Sequence, residues 1–146
     1  MDLVQVENRL IWAAGFFDGE GCIKVTKTKV SYGRKYSHTF VLHITQKVKS
    51  PLFIFKQLFG GKIYKTIDNR HDKYTRYEWC IFGKQALDAL SLLEPFLVLK
   101  KDEARVALKR KDAFNGKIKL DDESFKIREL LYYELRRLKD IKYQRI

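Results

Sequence analysis

The stretch Ala13-Ala14-Gly15-Phe16-Phe17-Asp18-Gly19-Glu20-Gly21 starts apolar and small and turns acidic within a few residues. Around it, Leu10, Ile11, Ala14 and Phe17 recur at helical spacing, which predicts a helix from about Glu7 to Asp18, ended by Gly19 and Gly21. Ala14, Gly15 and Gly19 carry so little side chain that another helix could lie close against them. Asp18 and Glu20 fall where the helix ends, and Glu20 directly precedes a basic strand. A carboxylate repels phosphate unless a divalent cation bridges the two, and Mg²⁺, which takes oxygen ligands, does this. The same two acids would equally serve as plain capping or solvating groups at a helix end.

Downstream, Cys22 to Val30 and Tyr36 to Gln46 read as two strands around a short turn, an antiparallel hairpin. Ile23, Val25, Phe40, Leu42 and Ile44 are expected to face the core. Lys24, Thr26, Thr28, Ser37, Thr39, Val41 and His43 are expected to face out. Ser50-Pro51 predicts a helix start, with Ser50 as the cap, and Gly60-Gly61 its stop. A second hairpin follows, Lys62 to Asp68 and Tyr74 to Phe82, with Tyr77, Trp79 and Ile81 inward and Arg76, Glu78 and Cys80 outward. The facing of Lys62 to Asp68 is ambiguous, because Ile63 and Tyr64 both look apolar. Helices are expected over about Lys84 to Leu93, Phe96 to Phe114 and Asp122 to Tyr143. This order predicts an α+β fold: an αββαββα core at about 7–114, one antiparallel sheet packed on helices, and a C-terminal helix at about 122–143. The whole chain, 1–146, is expected to be a single domain.

The formal net charge is +12, and it is unevenly spread. Between Cys22 and Phe82, 13 Lys and Arg stand against 3 acids; the remainder holds 17 against 15. A merely soluble surface has no reason to gather its excess charge in one region, whereas a polyanion-binding surface does. The outward mix, with Lys24, Lys65, Arg76 and Glu78, suits the donors and acceptors of base edges, and Val41 or a Thr methyl suits the thymine methyl. A nine-residue strand spans roughly 30 Å, close to one turn of DNA. Lys27, Lys29, Arg34, Lys35, Arg70 and Lys73, near turns, are expected to touch phosphate. The outward faces look nearly bare of the aromatic residues with which RNA-reading sheets stack bases.

Cys22 and Cys80 form no CxxC pair and have no His cluster beside them, which argues against a structural zinc. No segment approaches the ~20 apolar residues of a membrane span. The first residues lack the basic and apolar parts of a signal peptide. The chain is therefore expected to be intracellular, cytoplasmic or organellar, and soluble, with no membrane partner and no small-molecule substrate.

The acidic-ended stretch resembles the signature of the LAGLIDADG homing endonucleases, named after its own consensus. Ala14, Gly15, Asp18 and Gly21 match outright; Phe16, Phe17, Gly19 and Glu20 are common substitutions, and Ala13 replaces the first leucine. The element order around it is similar to that family's core. Ile44-Thr45-Gln46-Lys47 looks like the family's polar strand end at the catalytic site, and Glu94-Pro95-Phe96-Leu97-Val98-Leu99-Lys100 like the segment that brings a lysine there. The resemblance implies site-specific double-strand cleavage of a long, pseudo-palindromic DNA target by an intron-encoded, Mg²⁺- or Mn²⁺-dependent enzyme. It implies Glu20 as metal ligand with the Gly19 carbonyl, Gln46 orienting water or metal, and Lys100 stabilising charge or helping to activate water. Lys47 or Lys49 would assist. Where some relatives place an arginine near position 50, this chain has Ser50. One signature supplies half of a two-carboxylate site, so a homodimer is implied, seamed at Ala14, Gly15 and Asp18 with Leu10, Ile11 and Phe17 as apolar partners. The competing readings are a non-cleaving DNA- or RNA-binding protein of this fold, such as a splicing maturase, and an unrelated RNA-binding protein.

Overall fold

The computed structural model describes residues 2–30, 36–68, 74–114 and 122–144. Helix α1 (Leu3–Glu20) opens on a capping box, in which Asp2 Oδ1 accepts the Gln5 N–H at 2.8 Å and Gln5 Oε1 accepts the Asp2 N–H at 3.2 Å. That reciprocal cap starts the helix upstream of Glu7, where apolar periodicity alone would begin it. At its other end the helix runs through Gly19 to Glu20, and Gly21 caps it by donating to the Phe17 carbonyl. A Cβ on Gly21 would stand 2.2 Å from the Phe17 ring, so this close approach requires glycine.

Strands β1 (Gly21–Lys29), β2 (Tyr36–Gln46), β3 (Lys62–Asp68) and β4 (Tyr74–Phe82) form one antiparallel sheet in the order β1-β2-β4-β3. The two hairpins meet where β2 pairs with β4. Helix α2 (Ser50–Phe59) connects them. Pro51 sits in its first turn, as expected, but Ser50 is already helical and Lys49 holds the cap position with no side-chain bond, so the Ser50 cap does not form. The turns expected at 31–35 and 69–73, and with them Arg34, Lys35, Arg70 and Lys73, lie outside the described residues.

After α3 (Gly83–Leu93) the expected continuous helix from Phe96 to Phe114 is broken. Glu94–Phe96 is a 3₁₀ turn, Leu97 is extended, α4 spans only Lys101–Lys109, and a second 3₁₀ turn covers Lys111–Phe114. The cause is a contact distant in sequence: the Asp18 carboxylate takes the N–H groups of Val98 and Lys100, which a helix would have given to carbonyls one turn back. Helix α5 (Asp122–Lys142) closes the chain. The order αββαββα, with additional C-terminal helices, is the α+β architecture expected.

One face of the sheet is buried. Ile23, Phe40, Leu42, Ile44, Trp79 and Ile81 pack on Ala13, Ala14 and Phe17 of α1, Leu52 and Phe55 of α2, and Leu90 and Leu93 of α3. Phe55 stands at the junction, its ring 5.0 Å from Trp79 and 6.5 Å from Phe17. Truncating it to alanine would cost about 3–5 kcal/mol. The other face of the sheet carries the outward set.

Helix α5 runs beside β1, the edge strand, and ties to it through charges. Glu129 holds Lys27 at 2.9 Å and His38 Nε2 at 2.6 Å; Arg128 donates to the His38 carbonyl at 3.2 Å; Lys139 donates to the Ile23 carbonyl at 2.5 Å. An edge strand has unpaired backbone groups, and the Lys139 ammonium satisfies one of them.

Candidate functional site

The site is built where α1 runs into β1. Glu20, the last residue of α1, is exposed, and its Oε2 accepts the side-chain amide of Gln46 at 2.9 Å. Gln46 closes β2, and the pairing of Gly21 with Ile44 brings the two ends together. From the opposite side comes Lys100. It is 5% exposed, and its ammonium donates to the Asp18 carbonyl at 2.5 Å. Burial pushes this ammonium below its ordinary range, against the upward pull of Glu103 and Asp18. Three of the sequence-derived groups thus converge on one helix end. Lys47 is exposed and lines, with Thr45, Gln46 and Arg76, a hollow of about 270 Å³ beside it. Lys49 turns instead over the rings of Phe53 and Tyr77, at 5.1 and 5.7 Å.

Asp18 is not a ligand in waiting. Its Oδ2 accepts the Val98 N–H at 2.7 Å and its Oδ1 the Lys100 N–H at 3.0 Å. Both oxygens are engaged within the chain, at the helix end expected to form a seam between copies. Ala14 and Phe17, also expected at that seam, are 0% exposed and belong to the chain's own core. The face of α1 that remains open carries Val4, Ile11, Trp12, Gly15 and Gly19, and a Cβ at Gly15 or Gly19 would meet nothing within 4 Å.

Does this helix end suit a hard cation? The donors are oxygens only, a carboxylate and the carbonyls of a helix C-terminus, whose dipole is negative. Among the described residues no group of three or more His, Cys, Asp or Glu is placed to hold a metal ion. The oxygens of this chain that would hold such an ion are the Glu20 carboxylate and the carbonyls of the helix end.

The strand register decides which side chains share the open face. Lys24, Thr26 and Thr28 of β1 stand opposite Val41, Thr39 and Ser37 of β2. His43 stands opposite Cys80, and Thr45 opposite Glu78. Lys62, Tyr64 and Thr66 of β3 pair with Cys80, Glu78 and Arg76, so these three point outward, and Ile63, opposite Trp79, points inward. The ambiguity of that strand is thereby resolved, and it corrects Lys65. Its partner is Tyr77, which puts it on the helix side of the sheet. Alternation likewise places Lys27 and Lys29 with Ile23 and Val25, and Lys27 is held by Glu129.

Two further corrections concern the open face. Val41 is 4% exposed and Cys80 7%, because larger neighbours in register, Lys24 and Phe82 around Val41, cover them. Phe82 and Tyr64 are 50% and 44% exposed, so this face does carry aromatic rings. His43 is half-buried among Lys24, Lys139 and Glu78. Burial, then the two lysines, lower its pKa to about 4, although the part-exposed Glu78 carboxylate lies 3.4 Å from Nδ1. Its imidazole is neutral at pH 7.

The family model for LAGLIDADG endonuclease matches residues 13–90. The chain belongs to the LAGLIDADG endonuclease family. Among solved structures it is similar to the homing endonuclease I-CvuI, in complex with its target in the presence of calcium, at 24% identity and a TM-score of 0.73, over 92% of this chain and 84% of that one. It is similar to the archaeal intron-encoded homing endonuclease I-Vdi141I, complexed with DNA, at 20% identity and a TM-score of 0.70, over 89% and 83%. The homing endonuclease I-TnaI matches at 23% identity and a TM-score of 0.65, over 91% and 97%. No curated protein matches the chain. As a LAGLIDADG protein with one signature it shares its fold with homing endonucleases whose structures were solved on DNA. No helix among the described residues is long and apolar enough to cross a membrane.

What sequence reading missed is the role of α5. Its Glu129, Lys139 and Lys142 look like a solvated charged face, since their partners lie 39 to 117 residues away.

Proposed function

We propose that this LAGLIDADG protein is a single-domain, site-specific DNA endonuclease that acts as a homodimer and hydrolyses both strands of a long, pseudo-palindromic target with Mg²⁺ or Mn²⁺. The observation that carries the reading is the exposed Glu20 carboxylate, fixed by Gln46 at the rim of a basic sheet with Lys100 buried behind it. A carboxylate so placed weakens DNA binding unless it holds a cation.

Glu20 and the Gly19 carbonyl would hold the metal. Bound there, a divalent cation supplies an activated water and stabilises the leaving oxygen. Gln46 keeps the Glu20 carboxylate in one orientation. Lys100, its pKa lowered by burial, would hold a proton beside the phosphate and, when charged, offset negative charge developing there. Lys47 stands next to this centre. The open face would read bases through Lys24, Thr26, Thr28, Ser37, Thr39, His43, Arg76 and Glu78, with Lys62, Tyr64 and Thr66 added by the register. The solved relatives on DNA support that assignment of the sheet. Exposed Val4, Ile11 and Trp12 beside Gly15 support a second copy on α1.

Selection of cleaved sequences from a randomised DNA library, followed by nicking assays with Mg²⁺ and with EDTA, tests the reading. Metal-dependent double-strand cuts at one site support it. Tight, site-selective binding without any cut under Mg²⁺ or Mn²⁺ would leave a non-cleaving binding protein of this fold.

A further inference from the structure

The peptide unit joining Leu99 to Lys100 is gripped from both sides. Its N–H donates to Asp18 Oδ1 of α1 at 3.0 Å. Its carbonyl accepts the ammonium of Lys142, the last residue of α5. The same ammonium reaches Glu103 Oε1 at 3.2 Å. Glu103 lies in the first turn of α4, is 1% exposed, and its Oε2 has no hydrogen-bond partner among the described residues. A carboxylate at that depth is tolerated only beside a cation. Lys142 therefore joins two things that flank Lys100: the peptide that precedes it and the helix turn that follows it.

This contact comes from outside the family match at residues 13–90. Lys142 has side-chain exposure of 21%, against 70% for Lys84, which pairs with Asp88 on an exposed helix face. Three ammonium protons serve two acceptors within the chain, a use that holding phosphate would compete with.

We infer that Lys142 is a positioning residue for Lys100. It fixes the Leu99–Lys100 peptide against α5, as Asp18 fixes it against α1, and so sets where the Lys100 ammonium emerges at the end of α1. The inference rests on the reading of Lys100 as a catalytic group, and it deepens that reading by giving α5 a part in it. A lysine that only drew DNA by its charge would act on binding. A lysine that only stabilised the fold would act alike whatever stood at position 100.

The test uses the full chain and two independent readouts. In Lys142→Met, amide exchange at Val98 and Lys100 should quicken while α1 stays protected. Single-turnover cleavage should fall about tenfold to a hundredfold, the scale of a misplaced catalytic group. The DNA Kd should stay within about twofold. Lys142→Arg, which keeps charge and reach, should restore both readouts. In a Lys100→Met background the further change Lys142→Met should cost no additional rate, because its target is gone. Unchanged exchange, a rate loss that adds fully to that of Lys100→Met, or a loss of binding in place of rate would each overturn the inference. If the wild-type protein binds its site and never cleaves, the nuclease reading fails, and the catalytic part of this inference with it. Exchange at Lys100 would still decide whether Lys142 braces the loop.

Discussion

Asp18 and Lys100 hold each other twice: the Asp18 carboxylate accepts the Lys100 backbone N–H at 3.0 Å, and the Lys100 ammonium donates to the Asp18 carbonyl at 2.5 Å. The acid most prominent in the signature is thus a fastener between α1 and the loop before α4. Asp18→Ala leaves the Val98 and Lys100 N–H groups without their acceptor. It should destabilise the fold by about 1–3 kcal/mol in urea unfolding. Asp18→Asn keeps one acceptor oxygen and should lose less. Equal stability of wild type and Asp18→Ala would contradict the fastening role.

Glu20 makes a different prediction, because its carboxylate is exposed and, among the described residues, bonded to Gln46 alone. Glu20→Gln keeps the shape and a side-chain oxygen but removes the charge that a cation needs. Cleavage should disappear, while the Kd for DNA stays similar or tightens, since a repulsion has gone. Gln46→Ala and Lys100→Met should slow cleavage more than they weaken binding. A Glu20→Gln protein that cuts at the wild-type rate would remove the metal assignment.

The parts that were legible in the sequence are those set by local pattern. Strand alternation placed Trp79 and Ile81 inside and Arg76 outside, and the two hairpins followed from turn residues between such runs. Glu20 and Gln46 stood out because a signature and a strand end marked them. What failed depended on partners distant in sequence. The break between Phe96 and Lys101 arises from Asp18, and the capture of Lys27 arises from Glu129. Lys65 was misplaced because Ile63 and Tyr64 left the phase of β3 open until its pairing with β4 fixed it. Small size fits a close helix approach and a tight core equally well, so the sequence alone does not separate these two roles for Ala14, which lies in the core.

His43 should make stability depend on pH. Its pKa is near 4 in the fold and 6.5 ordinarily, so between these values the unfolded chain binds more protons than the native one. Stability is therefore full above pH 6.5 and falls as the pH drops towards 4. The loss attributable to this residue is about 2 kcal/mol between pH 7 and pH 5. Urea midpoints of wild type and His43→Gln across that range check it. Parallel curves would show that the ring titrates in the fold as it does in the unfolded chain.

The register separates two kinds of lysine and arginine on the sheet. Binding should weaken steeply with salt, as phosphate neutralisation releases counterions. Arg76→Ala or Thr39→Ala, on the open face, should change which bases are tolerated, at about 1–3 kcal/mol for a good base-edge contact. Lys65→Ala and Lys29→Ala, on the helix side, should leave base preference alone. Binding to arrays of single-base variants at fixed salt distinguishes them, and a specificity change in Lys65→Ala would mean that the assigned phase of β3 is wrong.

Gly15 gives the cleanest test of assembly. A Cβ at this position meets nothing within 4 Å of its own chain, and the residue is exposed in the middle of α1. Gly15→Leu therefore overpacks nothing inside one copy, and replacing a mid-helix glycine raises helix propensity by somewhat under 1 kcal/mol. The single chain should fold as well as before, or slightly better. Between two copies the outcome reverses, because a leucine would hold apart two helices that a glycine lets touch, at a cost of about 1–3 kcal/mol. Sedimentation should then show the wild type as a dimer on its target and Gly15→Leu as a monomer with unchanged circular dichroism. Nicking of one strand should survive at high protein concentration only as the dimer re-forms, and double-strand cleavage should fall with the dimer population. A Gly15→Leu protein that still dimerises and cuts both strands would place the contact between copies on some other face.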